Sequence, residues 1–244
     1  MRVERVTDLP ALGEVVASGL IAVCRERQRA GAVPCIVLTG GRAGAQVLLA
    51  VRDHRDRNTV DWSRVRFLWG DERWVPAGHA DRNDRLADES LFAAVDTDPT
   101  LVHRVAASDS GMSLDAAAAA YAETVARVPR IDVQLSGVGE DGHVASLFPG
   151  SSELLLGDEE AETLPVRDSP KAPPERVTLS LSALNRAERS WLLAAGEGKA
   201  EAVLAVLGGS EPLPPAARLT GRSETVLWAD TAALGLTTGS DGAH

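Results

Sequence analysis

Ile131-Asp132-Val133-Gln134-Leu135-Ser136-Gly137-Val138-Gly139-Glu140-Asp141-Gly142-His143 is an alternating apolar run that breaks into glycines and acids and ends on a histidine. Branched and apolar residues favour a strand, while Gly137, Gly139 and Gly142 let the backbone turn sharply and approach a ligand. The segment therefore predicts a strand feeding an active-site loop, with His143 as candidate general base. An ordinary α/β turn followed by a helix-capping histidine is the competing reading. The spacing Gly137-x-Gly139-x-x-Gly142 also matches a dinucleotide fingerprint, but that motif opens the first βα unit and needs an acid about 20 positions on. Here Glu140 and Asp141 put negative charge where a pyrophosphate needs a helix N-terminus, and Pro149 limits a following helix to about a turn and a half.

Working outward, Leu9 to Arg29 carries apolar residues at helical spacing (Leu12, Val15, Val16, Leu20, Ile21, Cys24). Cys35-Ile36-Val37-Leu38 is the wholly apolar run of a strand buried on both faces, ending at Thr39-Gly40-Gly41. Ala43 to His54 reads as a helix, Val65 to Trp69 as a strand, Gly70 to Arg82 as a loop, and Asn83 to Ala94 and Leu114 to Ala126 as helices. Val177 to Leu181 and Ser190 to Ala195 supply strands, Lys199 to Leu207 a helix and Glu224 to Trp228 a last strand. This alternation predicts one α/β domain over residues 1–244, with a mostly parallel, Rossmann-like sheet covered by helices on both faces. The Gly-, Ser- and Thr-rich end from Thr237 to His244 is expected to fray. Functional groups gather at the carboxyl ends of such strands. The central expectation is that the loops Thr39–Gly44, Gly70–Pro76 and Gly137–His143 converge.

The 25 basic and 35 acidic residues give a net charge of −10, which disfavours a nucleic-acid partner or an anionic membrane surface. Any phosphate must be held locally. Cys24 and Cys35 lack metal-ligand spacing and read as buried packing residues in a reduced, cytoplasmic setting, with no metal site. Arg2, Glu4, Arg5 and Asp8 interrupt any signal-peptide core, and no run reaches the roughly 18 apolar residues of a membrane span. A soluble monomer or weak homo-oligomer is expected.

Thr39-Gly40-Gly41-Arg42-Ala43-Gly44 leads straight into a helix, so first-turn amides face whatever lies beyond the sheet. A phosphate fits there, and Arg42 adds a planar fork of donors; a solvated arginine after a turn is the alternative. In Trp69-Gly70-Asp71-Glu72-Arg73-Trp74-Val75-Pro76, Arg73 can bind an anion while Asp71 or Glu72 fixes it, against a self-satisfied surface ion pair. Ser169-Pro170-Lys171-Ala172-Pro173-Pro174-Glu175-Arg176 is stiffened by prolines and presents Lys171 and Arg176, unless Arg176 only flanks its strand. His54, His103 and His244 read as solvent-facing or incidental, while His79 sits in a charged loop that can approach the site.

Together these residues resemble the 6-phosphogluconolactonase family, part of a sugar-phosphate fold shared with glucosamine-6-phosphate deaminase and ribose-5-phosphate isomerase. The carriers are Gly40-Gly41, Gly70 to Arg73 with Val75-Pro76 and Asn83, Gly137 to His143 continuing through Ala145-Ser146-Leu147-Phe148-Pro149-Gly150, Lys171 with Pro173-Pro174 and Arg176 to Leu179, and Gly198-Lys199. The resemblance implies hydrolysis of 6-phosphoglucono-δ-lactone to 6-phosphogluconate in the pentose phosphate pathway, without metal or organic cofactor. By that resemblance His143 is the general base acting on water. A helix start would keep its ring neutral, and Asp141 is either its orienter or a helix cap. Amides of the glycine loop, Gly139 among them, become candidates to stabilise the oxyanion. Arg73, the Gly40-Gly41 loop, Lys171 and Arg176 would grip the phosphate, with Asp71 and Asn83 close to the sugar or organising the loops. The chain departs from the family's usual Gly-Gly-Ser-Thr-Pro: Arg42-Ala43-Gly44 replaces the hydroxyl pair and proline. A deaminase or isomerase of the same fold is the enzymatic rival, but deaminases tend to continue from the histidine into Phe-Asn-Glu-Pro, whereas this chain has Ser146-Leu147-Phe148-Pro149. A non-catalytic sugar-phosphate sensor would bring a DNA-binding helix-turn-helix or a basic face, and neither is legible.

Overall fold

The computed structural model describes residues 1–156, 161–209 and 211–236, so the expected fraying of 237–244 lies outside the described residues. In chain order the elements are β1 (Arg2–Val6), α1 (Leu9–Arg29), β2 (Cys35–Leu38), α2 (Gly41–Asp53), β3 (Arg66–Trp69), β4 (Asp71–Arg73), α3 (Asn83–Ser90), α4 (Leu114–Ala126), β5 (Val133–Gly137), α5 (Ser152–Leu156), β6 (Thr163–Val166), β7 (Arg176–Leu179), α6 (Leu181–Leu184), β8 (Arg189–Ala194), α7 (Ala200–Gly208) and β9 (Glu224–Asp230). A six-stranded sheet has the order β1-β9-β8-β5-β2-β3, and every pairing in it is parallel.

Helix α1 starts where Asp8 Oδ1 accepts from Ala11 N at 2.9 Å, with a proline in its first turn. Its stripe of Leu12, Val16, Leu20 and Ile21 packs on one face of the sheet beside Val47, Leu48 and Val51 of α2. The opposite face is covered by Ala117, Tyr121 and Val125 of α4 and Val203 and Val206 of α7. Each such side chain removed from water contributes about 1.5–3 kcal/mol, so the two layers are held by many comparable terms. Cys24 and Cys35 are buried and unpaired, as the packing reading expects. Burial raises both thiols, Cys35 to about 12, which leaves them unreactive. No helix among the described residues is long and apolar enough to cross a membrane.

Strand order fixes where a ligand can sit. From β2 the chain proceeds outward to β3, and from β5 it proceeds in the opposite direction to β8. The carboxyl ends of β2 and β5 therefore flank the switch point, where the departing connections leave a crevice.

The structure corrects the sequence reading in several places. Residues 2–6, read only as a charged terminus, form β1, an edge strand paired with β9. Part of the expected Gly70–Arg82 loop is β4, which joins β6 and β7 in a separate antiparallel sheet of order β4-β7-β6. The strand expected at Val177–Leu181 thus lies outside the parallel sheet. It also ends earlier, because Ser180 caps α6 by accepting from Ala183 N at 3.1 Å. Gly70 joins the two sheets: its N–H donates to Leu38 O at 2.9 Å and its carbonyl accepts from Leu179 N at 2.8 Å. Tyr121 pins that joint from α4, accepting from Trp69 N at 2.7 Å and donating to Trp69 O at 2.9 Å. Helix α3 stops at Ser90, and Phe92–Ala94 is a separate single turn. No helix starts at His143; turns and a Val144–Leu147 bridge occupy residues 140–150 before α5 begins at Ser152.

Candidate active site

A cleft of about 360 Å³ opens at the switch point. The three expected loops do converge there: Thr39 to Ala43, Asp71 with Arg73, and Gly137 to Glu140 with His143 all line it. Side chains tie the loops together. Gly137 N donates to Thr39 Oγ1 at 3.3 Å, linking the ends of β5 and β2. Asn83 Nδ2 donates to Asp71 O at 2.9 Å. The Asn83 carbonyl lies so close over Gly40 that a Cβ there would sit 1.9 Å from its Oδ1. Only glycine permits this joint between the first and second loops.

His143 is mostly buried, with 14% of its side chain exposed. Its Nδ1 lies 2.5 Å from Asp141 Oδ1, and its ring packs against Phe148 with centroids 4.6 Å apart and planes tilted by 38°. Asp141 also accepts from His143 N at 3.2 Å. The carboxylate favours the tautomer with hydrogen on Nδ1, leaving Nε2 as the basic nitrogen toward the cleft. Burial holds the His143 pKa below its usual value, Asp141 opposes that shift, and Lys171 reinforces it. The neutral ring therefore arises from desolvation and not from the helix start expected from sequence. Asp141 itself is pushed up by burial but held low on balance by its bond to His143. Gly139 is required sterically, since a Cβ there would stand 1.9 Å from His143 Nδ1.

The amides of Gly137, Val138, Gly139 and Gly142 are already engaged, which corrects the oxyanion expectation for Gly139. Gly139 N donates to His143 O at 2.8 Å, Gly142 N to Gly139 O at 3.0 Å, and Val138 N to Leu193 O at 2.9 Å. The first turn of α2 behaves differently. Gly40 is its N-cap and no side chain caps it, so the amides of Gly41, Arg42 and Ala43 are available at the cleft wall.

Charged residues divide into two sets. Asp71 does not fix Arg73: its Oδ2 accepts from Ser146 Oγ at 2.6 Å and lies 3.7 Å from Arg176 Nη1. Glu72 is 1% exposed and accepts from the amides of Arg73 (2.8 Å), Asn83 (2.7 Å) and Asp84 (2.8 Å). Burial pushes its carboxyl up to about 7, against Arg82 and those amides. Arg176, 3% exposed, donates to Pro173 O at 3.0 Å and Lys171 O at 2.8 Å, clamping the proline loop from below. It lines the cleft but its fork is already engaged.

Arg42, Lys171 and Lys199 line the cleft without an ion pair among the described residues. Arg73 donates through Nη1 to Asp81 O at 2.6 Å, yet its buried Nε has no partner. A buried donor without a protein partner at a cleft wall can accept a ligand oxygen as its partner. Lys199 and Glu140 also line the cleft; the sequence marks Lys199 only through the Gly198-Lys199 pair of the family resemblance and gives Glu140 no binding role. Strand order explains its place: β8 neighbours β5, so its strand-end loop, which carries Lys199, borders the same crevice. His79 is exposed in its loop and His103 donates from its backbone to Phe67 O; neither lines the cleft.

Comparison with known proteins identifies the family. The family model for glucosamine-6-phosphate isomerases/6-phosphogluconolactonase matches residues 7–228. A 6-phosphogluconolactonase of Streptomyces coelicolor is 42% identical over 238 residues, covering 93% of this chain and 90% of that protein. One from Mycobacterium tuberculosis is 43% identical over 203 residues, covering 79% and 80%. The solved structure of the Trypanosoma brucei 6-phosphogluconolactonase superposes with a TM-score of 0.84 at 26% identity, covering 96% of this chain and 97% of that one. With a model match across most of its length and relatives above 40% identity, the chain belongs to the glucosamine-6-phosphate isomerase/6-phosphogluconolactonase family.

Proposed function

We propose that this protein hydrolyses 6-phosphoglucono-δ-lactone to 6-phosphogluconate. The observation that carries the reading is the desolvated His143, oriented by Asp141, in a cleft whose other wall offers open cations and helix amides. The 6-phosphate binds at the α2 N-terminus with Arg42, Arg73 and Lys199. The lactone carbonyl then lies toward His143, and the remote phosphate serves catalysis by orienting the ester.

His143 Nε2 takes a proton from water as the water oxygen attacks the carbonyl carbon. The charge that grows on the carbonyl oxygen is met by Lys171, whose field bears on the His143 ring. Collapse breaks the bond between the acyl carbon and the ring oxygen, and the imidazolium returns its proton to that leaving oxygen. Asp141 stabilises the imidazolium while it exists. Asp71 and Asn83 take no part in proton transfer in this reading; they hold Arg176 and the Gly40 loop in place.

The test is a coupled assay in which glucose-6-phosphate dehydrogenase generates the lactone in place and ring opening is followed at slightly acidic pH, where spontaneous opening is slower. Accelerated opening, with no ammonia released from glucosamine 6-phosphate, is the expected result. Ammonia release without lactone opening would transfer the assignment to the deaminase branch of the family.

A further inference from the structure

The chain uses arginine almost everywhere a cation is needed: of its 25 basic residues, only Lys171 and Lys199 are lysines. Both line the same cleft. Every lysine amine of the sequence therefore faces the candidate active site, although arginine binds phosphate at least as well. What a lysine offers and an arginine does not is a nucleophilic nitrogen.

Lys199 is the better placed of the two for such chemistry. It is the N-cap of α7, half-buried where Lys171 is exposed. Its loop is fixed from below, since Gly196 N donates to both carboxylate oxygens of Asp230 at 3.0 Å. No ion pair or hydrogen bond holds its ammonium among the described residues. Glu140 is adjacent: a Cβ on Gly198 would lie 3.5 Å from its Oε1. Burial shifts the ammonium toward the neutral amine; Lys171 and Arg42 act in the same direction, and Glu140 and Asp141 oppose them.

We propose that Lys199 is a modification site for small acyl phosphates, which bind by their phosphate in the cleft and transfer their acyl group to Lys199 Nζ. The proposal rests on the reading of this cleft as a phosphate site. In the lactone, phosphate and carbonyl lie at opposite ends of the sugar, so the amine that holds the phosphate cannot reach the carbonyl. In an acyl phosphate the carbonyl carbon is one oxygen away from phosphorus, within reach of that same amine. The Nζ lone pair forms a bond to the acyl carbon, and the bond from that carbon to the bridging oxygen breaks. Inorganic phosphate leaves with the electron pair and takes the proton released by nitrogen. The products are an amide and phosphate, with no change in oxidation state. The amide carries no charge, so the modified cleft holds phosphorylated ligands less well.

The experiment incubates the full-length protein with acetyl phosphate and follows both lactone hydrolysis and acetylation by peptide mass spectrometry. Acetylation of Lys199 is expected to exceed that of Lys171 by about tenfold or more, because binding sets the carbonyl beside one amine. Inorganic phosphate should suppress it, and hydrolysis should decline in step with it through a higher KM. Lys199→Arg should retain its own starting activity through the same treatment. Equal labelling of the two lysines, labelling insensitive to phosphate, or equal inactivation of Lys199→Arg would overturn the proposal. Untreated protein that lacks lactone hydrolysis but still labels selectively at Lys199 would reject the enzymatic assignment and leave the modification site standing. Hydrolysis without selective labelling would do the reverse.

Discussion

Two charged regions lie within a few residues of one another and behave in opposite ways. Beneath the cleft, Asp71, Glu72, Arg82, Asp84 and Arg176 are buried, and each is met by an opposite charge or by backbone groups. On its walls, Arg42, Lys171 and Lys199 lack an ion pair among the described residues, and Arg73 keeps an unpartnered Nε. The first set is framework, because a buried ion that loses its partner costs more than the pair ever contributed. The second set is available, because a cation without a protein partner can give its full interaction to a ligand. One tetrapeptide, Gly70-Asp71-Glu72-Arg73, contains members of both sets, and residue type alone does not separate them.

The contrast can be broken by experiment. The largest effect is expected at the base: His143→Ala should lower kcat by roughly a hundredfold to ten-thousandfold with an unchanged unfolding midpoint. Retained turnover in the folded variant would remove His143 from the mechanism. Among the cations, Arg176→Ala should cost about 3–5 kcal/mol of stability in urea unfolding, since it leaves buried Asp71 without its counter-charge and removes the clamp on the proline loop. Arg42→Ala should leave stability within about 0.5 kcal/mol while raising KM for the phosphorylated lactone by about tenfold or more, the loss of a charge-assisted hydrogen bond. Equal stability losses at the two positions would abolish the division between framework and ligand charges. Gly139→Ala should push the His143 ring aside and lower kcat by about a hundredfold, with little change in KM.

The smallest effect sharpens the comparison at the base itself. Asp141 favours the imidazolium, so Asp141→Asn should move the His143 pKa further below its usual value. The acid limb of kcat/KM then shifts to lower pH, while kcat falls because the base is weaker and less well oriented. The substrate phosphate titrates near pH 6 in both proteins, so the difference between their profiles is the quantity to read. A limb that moved to higher pH would mean that Asp141 does not act on this ring.

Much of the parallel sheet was legible because burial leaves a plain pattern. Cys35–Leu38 is apolar at every position, and α1 and α4 span Leu9–Arg29 and Leu114–Ala126, the ranges read from the sequence. The second sheet was not legible for the opposite reason. In β4 the residues Asp71, Glu72 and Arg73 are charged, and their inward side chains are satisfied by the start of α3 and by Ser146 and Arg176, the last two far away in sequence. Edge strand β1 exposes Arg2, which pairs with both Glu4 and Glu224, so it reads as a polar terminus. In the site, convergence of the three loops was readable from strand-end logic. The engagement of the glycine-loop amides and of Arg176 was not, because both depend on which partners the fold supplies.

Ala145 lies two residues beyond His143 and lines the cleft with a φ of 50°, a backbone region that side chains with a Cβ avoid. Its neighbours hold it there: Ser146 N donates to Thr178 Oγ1 at 3.2 Å, and Val144 bridges to Leu147. A glycine would adopt this shape with less strain, but it would also visit many others. The methyl group narrows the turn to one conformation and faces Gly70, the joint between the sheets, where an added Cβ would meet it at 3.9 Å. A small conformational penalty at one peptide thus keeps the base in register with the seam between the two sheets, and relaxing it should loosen the imidazole before it loosens the fold.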